Sequence, residues 1–424
     1  MTHPIIYLNM EELRTFLSSS LASAQGKAYE WENENVFHLH VTPLPHSFGK
    51  THEVQFTKEK PAEVSPSSFV VIVRPGSENP ETEVYRIHDD RPWEPLNVCF
   101  IPAESELYSR SKGILEVGAL KGKRAFIIGL GSFGSQIAIE LAKAGVDNFG
   151  VADFDRVELH NLARHTATLK DLGRLKTDCV EEAIKGKNPY AHVDKFPVNI
   201  NENLELLERE VGKADIVICT TDNNKSRFNL SPALVRQEKI GIFGRAVTRA
   251  EGGDVFIYRP GGPCYCCLIG NEWFRQTPDE ITNVASARRN GQIAAYVSEE
   301  DADAVVQVGL SSDIEPICNM MVKIALMELS RGVPSGISCL EEELVYDYYM
   351  WANRRERRHR NWAPMPGAGA KPTIMRWYGA HIPRNENCAL CSCHETKLDE
   401  GEELMENYGN LIQETDLTGV KPEE

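Results

Sequence analysis

The chain has 424 residues, of which 42% are hydrophobic and 25% charged, and its formal net charge is −16. This describes a water-soluble globular protein long enough for a large core and two or three domains. The acidic balance argues against nucleic acid as the main partner, and no apolar run reaches the ~18 residues of a membrane span.

No basic-then-apolar leader pattern comes after Met1-Thr-His-Pro, so the expected location is the cytoplasm, with neither nucleic acid nor membrane an expected partner given the charge and the lack of a long apolar run. Residues 1–104 read as a small α+β accessory domain. Leu13, Phe16 and Leu17 share one face of a short helix, and Asn35–Val41 and Ser68–Arg74 read as strands. His38, His40 and His46 are scattered among polar and apolar residues and read as structural histidines rather than ligands.

The pattern tightens through Leu107-Tyr-Ser-Arg110 and then organises the chain from Lys123 onward. Ala125-Phe-Ile-Ile128 is a buried strand, Gly129-Leu-Gly131-Ser-Phe-Gly134 a glycine turn, and Ser135 to Ala144 an amphipathic helix stopped by Gly145. A second strand, Phe149–Ala152, ends at Asp153, nineteen residues past Gly134. This is a βαβ nucleotide-binding unit, with glycine allowing the backbone to approach phosphate and an acid spaced for a ribose hydroxyl.

The α/β pattern continues with a helix from Cys179, a strand at Val193–Val198, a helix to Val211, and a strand at Ala214–Thr220 ending at Asp222. Strands at Ile240–Phe243 and Gly253–Tyr258 extend the sheet, and Ile314–Leu329 is a long amphipathic helix whose Met320, Met321 and Met327 read as core filler. The boundaries expected from these patterns are 105–335 for a doubly wound, mostly parallel, Rossmann-like domain and 336–397 for a segment completing its sheet. Residues 398–424 form an acidic tail with nine acidic residues and one lysine, read as a solvated end. The basic run from Arg354 to Arg360 reads as a solvated face or a contact for an acidic protein.

Eleven cysteines in such a chain do not imply a disulfide framework. Cys264 with Cys267 and Cys388 with Cys391 form two C-x-x-C pairs, which together predict a closed four-cysteine Zn²⁺ site tying distant segments together.

The glycine turn and Asp153 alone also describe an NAD site. A longer series of residues is more specific: Asp153-Phe-Asp155, Asn161-Leu-Ala-Arg164, Lys176, then Thr221-Asp222-Asn223 with Arg227. This series resembles the ThiF/MoeB-like adenylyltransferases, the superfamily that includes the ubiquitin-activating enzymes, and the two cysteine pairs match as well. A hydride-transfer enzyme has no need of this set, and no GxxxxGK[ST] loop of a kinase or GTPase is present.

The resemblance implies ATP-dependent adenylation of the C-terminal glycine of a ubiquitin-like or sulfur-carrier protein by a homodimer. It implies that Gly129, Gly131, Gly134, Asp153, Asp155, Asn161 and Asn223 bind the nucleotide and that Arg110, Arg164, Lys176 and Asp222 are catalytic. Arg110 is the arginine that reaches the triphosphate, often of the neighbouring subunit. The three cations stabilise charge on the phosphates, Asn161 can donate to phosphate, and Asp222 is the natural Mg²⁺ carboxylate. No separate base is required, because a C-terminal carboxylate is already ionised at neutral pH.

The leading expectation adds thioester formation and transfer to a ubiquitin-conjugating-like enzyme. Residues 268–310, where the family's crossover loop passes, contain no cysteine. The remaining candidates are Cys266, Cys318, Cys339 and Cys393, of which Cys339 alone lies in a segment read as a loop. Cys318 lies in the long helix, Cys266 and Cys393 border the zinc pairs, and Cys99, Cys179 and Cys219 read as buried. Sulfur-carrier or peptide adenylation without a thioester, and an inactive scaffold, are the alternatives. The N-terminal extension looks most like bacterial activating enzymes encoded in antiphage conjugation operons.

Overall fold

The computed structural model describes residues 4–31, 35–43, 49–61, 64, 68–77, 79–88, 92–101, 107–247, 250–270, 309–354 and 374–392. Most of the expected crossover segment, the basic run beyond Arg354, His46, Cys393 and the acidic tail lie outside these residues. The chain divides into two compact units, Met1–Arg110 and Ser111–Glu424.

In the first unit, β1 (Ile5–Asn9) leads into α1 (Met10–Ser18). The Asn9 side chain caps this helix by accepting the N–H groups of Glu11 and Glu12, and Met10, Leu13 and Phe16 face inward. Seven further strands complete the sheet: β2 (Ser23–Trp31), β3 (Val36–His40), β4 (Lys50–Thr57), β5 (Phe69–Arg74), β6 (Glu81–Arg86), β7 (Glu94–Leu96) and β8 (Val98–Ile101). Their order is β7-β6-β5-β4-β2-β3-β1-β8. Val54, Phe56, Phe69 and Val71 pack with Leu13 and Phe16 in its core. His40 is buried with Nδ1 2.8 Å from Glu12 Oε1, and His38 stacks on Tyr7, so both are structural as expected. Cys99, expected to be buried, is exposed. Its strand β8 ends the sheet, paired with β1 on one side only, and does not enclose its side chains.

The second unit is the doubly wound fold. Its strands are β9 (Arg124–Ile128), β10 (Asn148–Ala152), β11 (His192–Phe196), β12 (Ile216–Cys219), β13 (Ile240–Ala246), β14 (Gly252–Tyr258), β15 (Tyr348–Ala352) and β16 (Arg376–Ala380). They lie in the order β11-β10-β9-β12-β13-β14-β15-β16. The first five are parallel and the last three antiparallel.

Alternation along β9 shows why both faces are covered. Ala125 and Ile127 join a core with α2 (Gly134–Ala144), α3 (Lys176–Lys185) and the long helix α7 (Ser311–Leu329). Phe126 and Ile128 join the opposite core, with α4 (Leu204–Lys213), α5 (Asn224–Arg236) and the short α6 (Tyr265–Ile269). Met321 and Met327 are fully buried and Met320 packs against the same core, in keeping with their reading as filler. The chain goes to β10 on one side of β9 and later returns to β12 on the other. The crevice at their C-terminal ends is therefore a topological switch point, where such sheets bind ligands.

Candidate active site

The crevice is built on the turn between β9 and α2. Gly129 has φ +85°, a left-handed conformation that favours glycine. A Cβ on Gly134 would lie 1.9 Å from the Gly129 carbonyl oxygen, so only glycine lets the helix start this close to the strand. At Gly131 a Cβ would meet no protein atom within 4 Å, so protein packing does not dictate that glycine. Among the described residues, the N–H groups of Gly131, Ser132 and Phe133 reach no acceptor, and they open the positive end of α2. The other wall is the end of β12, where Thr220 Oγ1 donates to the Gly129 carbonyl at 2.6 Å.

Asp153 ends β10 and is engaged twice. One carboxylate oxygen accepts the Leu130 N–H at 2.6 Å and the other the Asp155 N–H at 2.8 Å. Burial pushes its pKa up, Lys176 opposes that, and the neighbouring Asp155 adds to it. Lys176 opens α3 and is buried, with Nζ 2.8 Å from Asp155 Oδ2. Burial works against its charge, but the carboxylates of Asp153, Asp155 and Asp222 outweigh it and hold its pKa above the ordinary lysine value. Asp155 and Asp222 are exposed, so the cluster has a buried cation and an open carboxylate rim. Asp222 lies just past β12, with Oδ1 3.4 Å from Asn223 Nδ2.

Arg164 is half-buried, and its guanidinium forms no ion pair with a described residue. Its carbonyl accepts a hydrogen bond from Gln136 of α2, which keeps its backbone beside the glycine turn. Asn161 Oδ1 accepts the Glu158 N–H at 2.9 Å and shapes the loop that carries Arg164. Asn223 caps α5, its side-chain oxygen accepting from Ser226 N–H and Oγ–H. Arg110 is exposed and ends the first compact unit, apart from this set in the division of the chain.

Sequence reading missed two residues here. Thr220 ties the end of β12 to the glycine turn. His165 is buried beside that turn, and its only signal was its place directly after the N-L-x-R run.

The four cysteines gather as expected. Cys264, Cys267, Cys388 and Cys391 are all buried, with Sγ atoms within 4.8 Å of one another. The separations are 3.8 Å for Cys264–Cys267 and 3.5 Å for both Cys264–Cys388 and Cys267–Cys391. These are far from a disulfide's ~2.05 Å. They match the edge of about 3.8 Å that a tetrahedron of Zn–S bonds of ~2.3 Å requires. The donor set fits Zn²⁺.

Cys339 is exposed, but it sits in a helix, α8 (Ser338–Glu343), rather than in the loop expected from Gly336 and Ser338. The apolar side chains of Ile337, Leu340 and Leu344 pack against the core and turn the segment into a helical one. Cys318 is buried, and burial pushes its thiol pKa up. Cys179 and Cys219 are buried as expected.

The sequence profile of the ThiF family matches residues 111–341. "Adenylyltransferase and sulfurtransferase MOCS3" of Culex quinquefasciatus is 31% identical over 214 residues, covering 49% of this chain and 47% of that protein. The "Sulfur carrier protein adenylyltransferase" of Thermus thermophilus is 29% identical over 218 residues, covering 48% of this chain and 78% of that protein. A crystal structure of E. coli MccB with AMPCPP and MccA superposes with a TM-score of 0.49 and 16% identity, covering 69% of this chain and 76% of that chain. The chain spans about half the length of the curated MOCS3 relatives it matches.

Proposed function

The chain belongs to the ThiF family, and from that premise we propose that it is an ATP-dependent adenylyltransferase acting on the C-terminal glycine of a ubiquitin-like protein. The observation that carries this reading is the buried Lys176 ringed by Asp153, Asp155 and Asp222, beside a glycine turn in which the N–H groups of Gly131, Ser132 and Phe133 reach no acceptor among the described residues. ATP lies with its phosphates against Gly129–Gly134 and its ribose toward Asp153. Lys176 and Arg164 stabilise charge on the phosphates. Asp222 and the exposed Asp155 are oxygen donors of the kind that hold Mg²⁺, which would neutralise charge on the departing pyrophosphate.

The ionised tail attacks the α-phosphorus through a carboxylate oxygen. The bond from that phosphorus to the bridging oxygen breaks, and pyrophosphate leaves with the electron pair. The product is an acyl-adenylate, and catalysis is positioning plus electrostatics. Asn161 and Asn223 shape the pocket from their capping positions, and the four cysteines hold Zn²⁺ as a structural clamp. In the fuller reading the enzyme is a homodimer, and Arg110 of one subunit completes a triphosphate site. The Cys339 thiolate then attacks the acyl-adenylate carbonyl, expels AMP and passes the protein to a conjugating enzyme, as in an antiphage conjugation system in the cytoplasm. The names of the relatives favour a second reading, a sulfur carrier adenylated without a thioester.

ATP–pyrophosphate exchange that depends on a small protein ending in glycine tests the adenylation step. No exchange with any such protein would refute it. An acid-stable, thiol-sensitive adduct on the enzyme, lost in Cys339→Ser, separates the two readings. Exchange without an adduct favours the sulfur carrier.

A further inference from the structure

The backbone of Leu130, in the glycine turn, is held at both of its polar groups. Its N–H donates to Asp153 Oδ2 at 2.6 Å, and its carbonyl lies 2.7 Å from His165 Nε2. A carbonyl only accepts, so Nε2 carries the proton. The other ring nitrogen, Nδ1, accepts the Ala167 N–H at 2.8 Å. Both nitrogens are therefore committed in one neutral tautomer. Burial pushes the His165 pKa down to about 4, and Lys176 nearby works in the same direction. Protonation would set a second donor at Nδ1 against the Ala167 N–H, so the geometry and the low pKa agree.

The consequence lies one atom further on. In a planar trans peptide the carbonyl of one residue and the N–H of the next point in opposite directions. The bond from His165 draws the Leu130 carbonyl to one side, so the Gly131 N–H is aimed to the other. That N–H has no protein acceptor among the described residues, and Gly131 borders open space where a Cβ would meet nothing within 4 Å. His165 is the residue directly after Arg164, so one short loop supplies a phosphate cation and the group that orients the phosphate turn.

We propose that His165 is a positioning residue for nucleotide: by fixing the Leu130–Gly131 peptide through its carbonyl it aims the Gly131 N–H at a phosphate of ATP, without touching the nucleotide itself. This rests on the adenylation reading, and the test separates the two.

Binding of ATP and of adenosine, which has no phosphate, is measured for the full chain and for His165→Ala and His165→Gln. Alanine should weaken ATP about tenfold, the worth of one well-placed hydrogen bond, and leave adenosine within about twofold. Glutamine keeps one N–H donor and one acceptor and should restore most of the ATP affinity. Equal ATP affinity in the alanine variant, equal loss of ATP and adenosine, or no rescue by glutamine would each overturn the proposal. Unmodified protein that binds neither ligand would sink the adenylation reading and this proposal with it. A measurement on the unmodified chain covers an alanine variant that does not fold. Carbonyl-¹³C leucine with ¹⁵N glycine isolates two amides, those of Gly131 and Gly173. ATP, but not adenosine, should shift the Gly131 signal; an unmoved Gly131 amide overturns the proposal.

Discussion

The four-cysteine cluster and the crevice around Lys176 lie in the same unit, and each joins segments far apart in the chain, but one is closed and the other open. In the first, four buried sulfurs lie within 4.8 Å of one another, three of the pairs at 3.5–3.8 Å, spacings that suit a tetrahedral ion. In the second, a buried ammonium meets exposed carboxylates, and neighbouring backbone donors face no partner among the described residues. A site that satisfies itself stabilises the fold; a site that leaves strong groups unsatisfied can bind something else. The same distinction separates structural from reactive cysteines, since the buried Cys318 thiol is held protonated while Cys339 is open to solvent.

The sharpest way to break this comparison is to exchange the effects of the two sites. Asp222→Ala should cut ATP–pyrophosphate exchange by about 10²-fold or more, the usual scale for losing one electrostatic stabiliser, with an unchanged melting curve. Asp222 is exposed at a strand end and makes little contribution to packing. Substantial residual exchange, or a large drop in Tm, would blur the distinction.

Metal removal probes the other side. A chelator, or Cys388→Ser, should lower Tm by roughly 5–10 °C, a few kcal/mol at about 2–4 °C per kcal/mol. Exchange measured well below the new Tm should stay within a few-fold. Loss of exchange at full stability would give the cysteines a chemical role.

The smallest effect concerns His165. The unfolded chain takes up its proton near pH 6.5, whereas the folded chain keeps the ring neutral down to about pH 4. The folded-state pKa is depressed, so the stability it contributes is whole above about pH 6.5 and is lost as pH falls toward 4. His165→Gln should show a shallower fall in Tm between pH 7 and 4.5, by about 5 °C, from roughly 2.5 kcal/mol of linkage at about 2 °C per kcal/mol. Parallel curves would mean that acid acts elsewhere.

Much of this was legible in the sequence because its signals are local. Strand periodicity, the glycine spacing and the C-x-x-C pairs depend on a few neighbouring residues. The weak signals failed for physical reasons. β2 and β4, rich in Lys, Glu, Gln and Thr, lack the apolar alternation that marks a strand and are not among the expected strands, yet they pair across the sheet over eight positions. Cys99 reads as buried from its apolar neighbours, but the sheet ends at its strand. Arg245 and Asp254 form a buried ion pair under Tyr348 because antiparallel register sets them directly opposite, which spacing alone does not predict.

By itself, then, the sequence determined that a βαβ unit forms, where its glycine turn lies and which thiol and carboxylate groups to watch: the four paired cysteines, with Asp153, Asp155 and Asp222. Tertiary structure alone decided that Lys176 sits buried among those three acids, that the backbone N–H and carbonyl of Leu130 are gripped by Asp153 and His165, and that Cys339 rides a helix. The reason is that hydrogen bonds and charge pairing act over a few ångströms. Which residues come that close is fixed by strand order and helix packing, not by their distance along the chain.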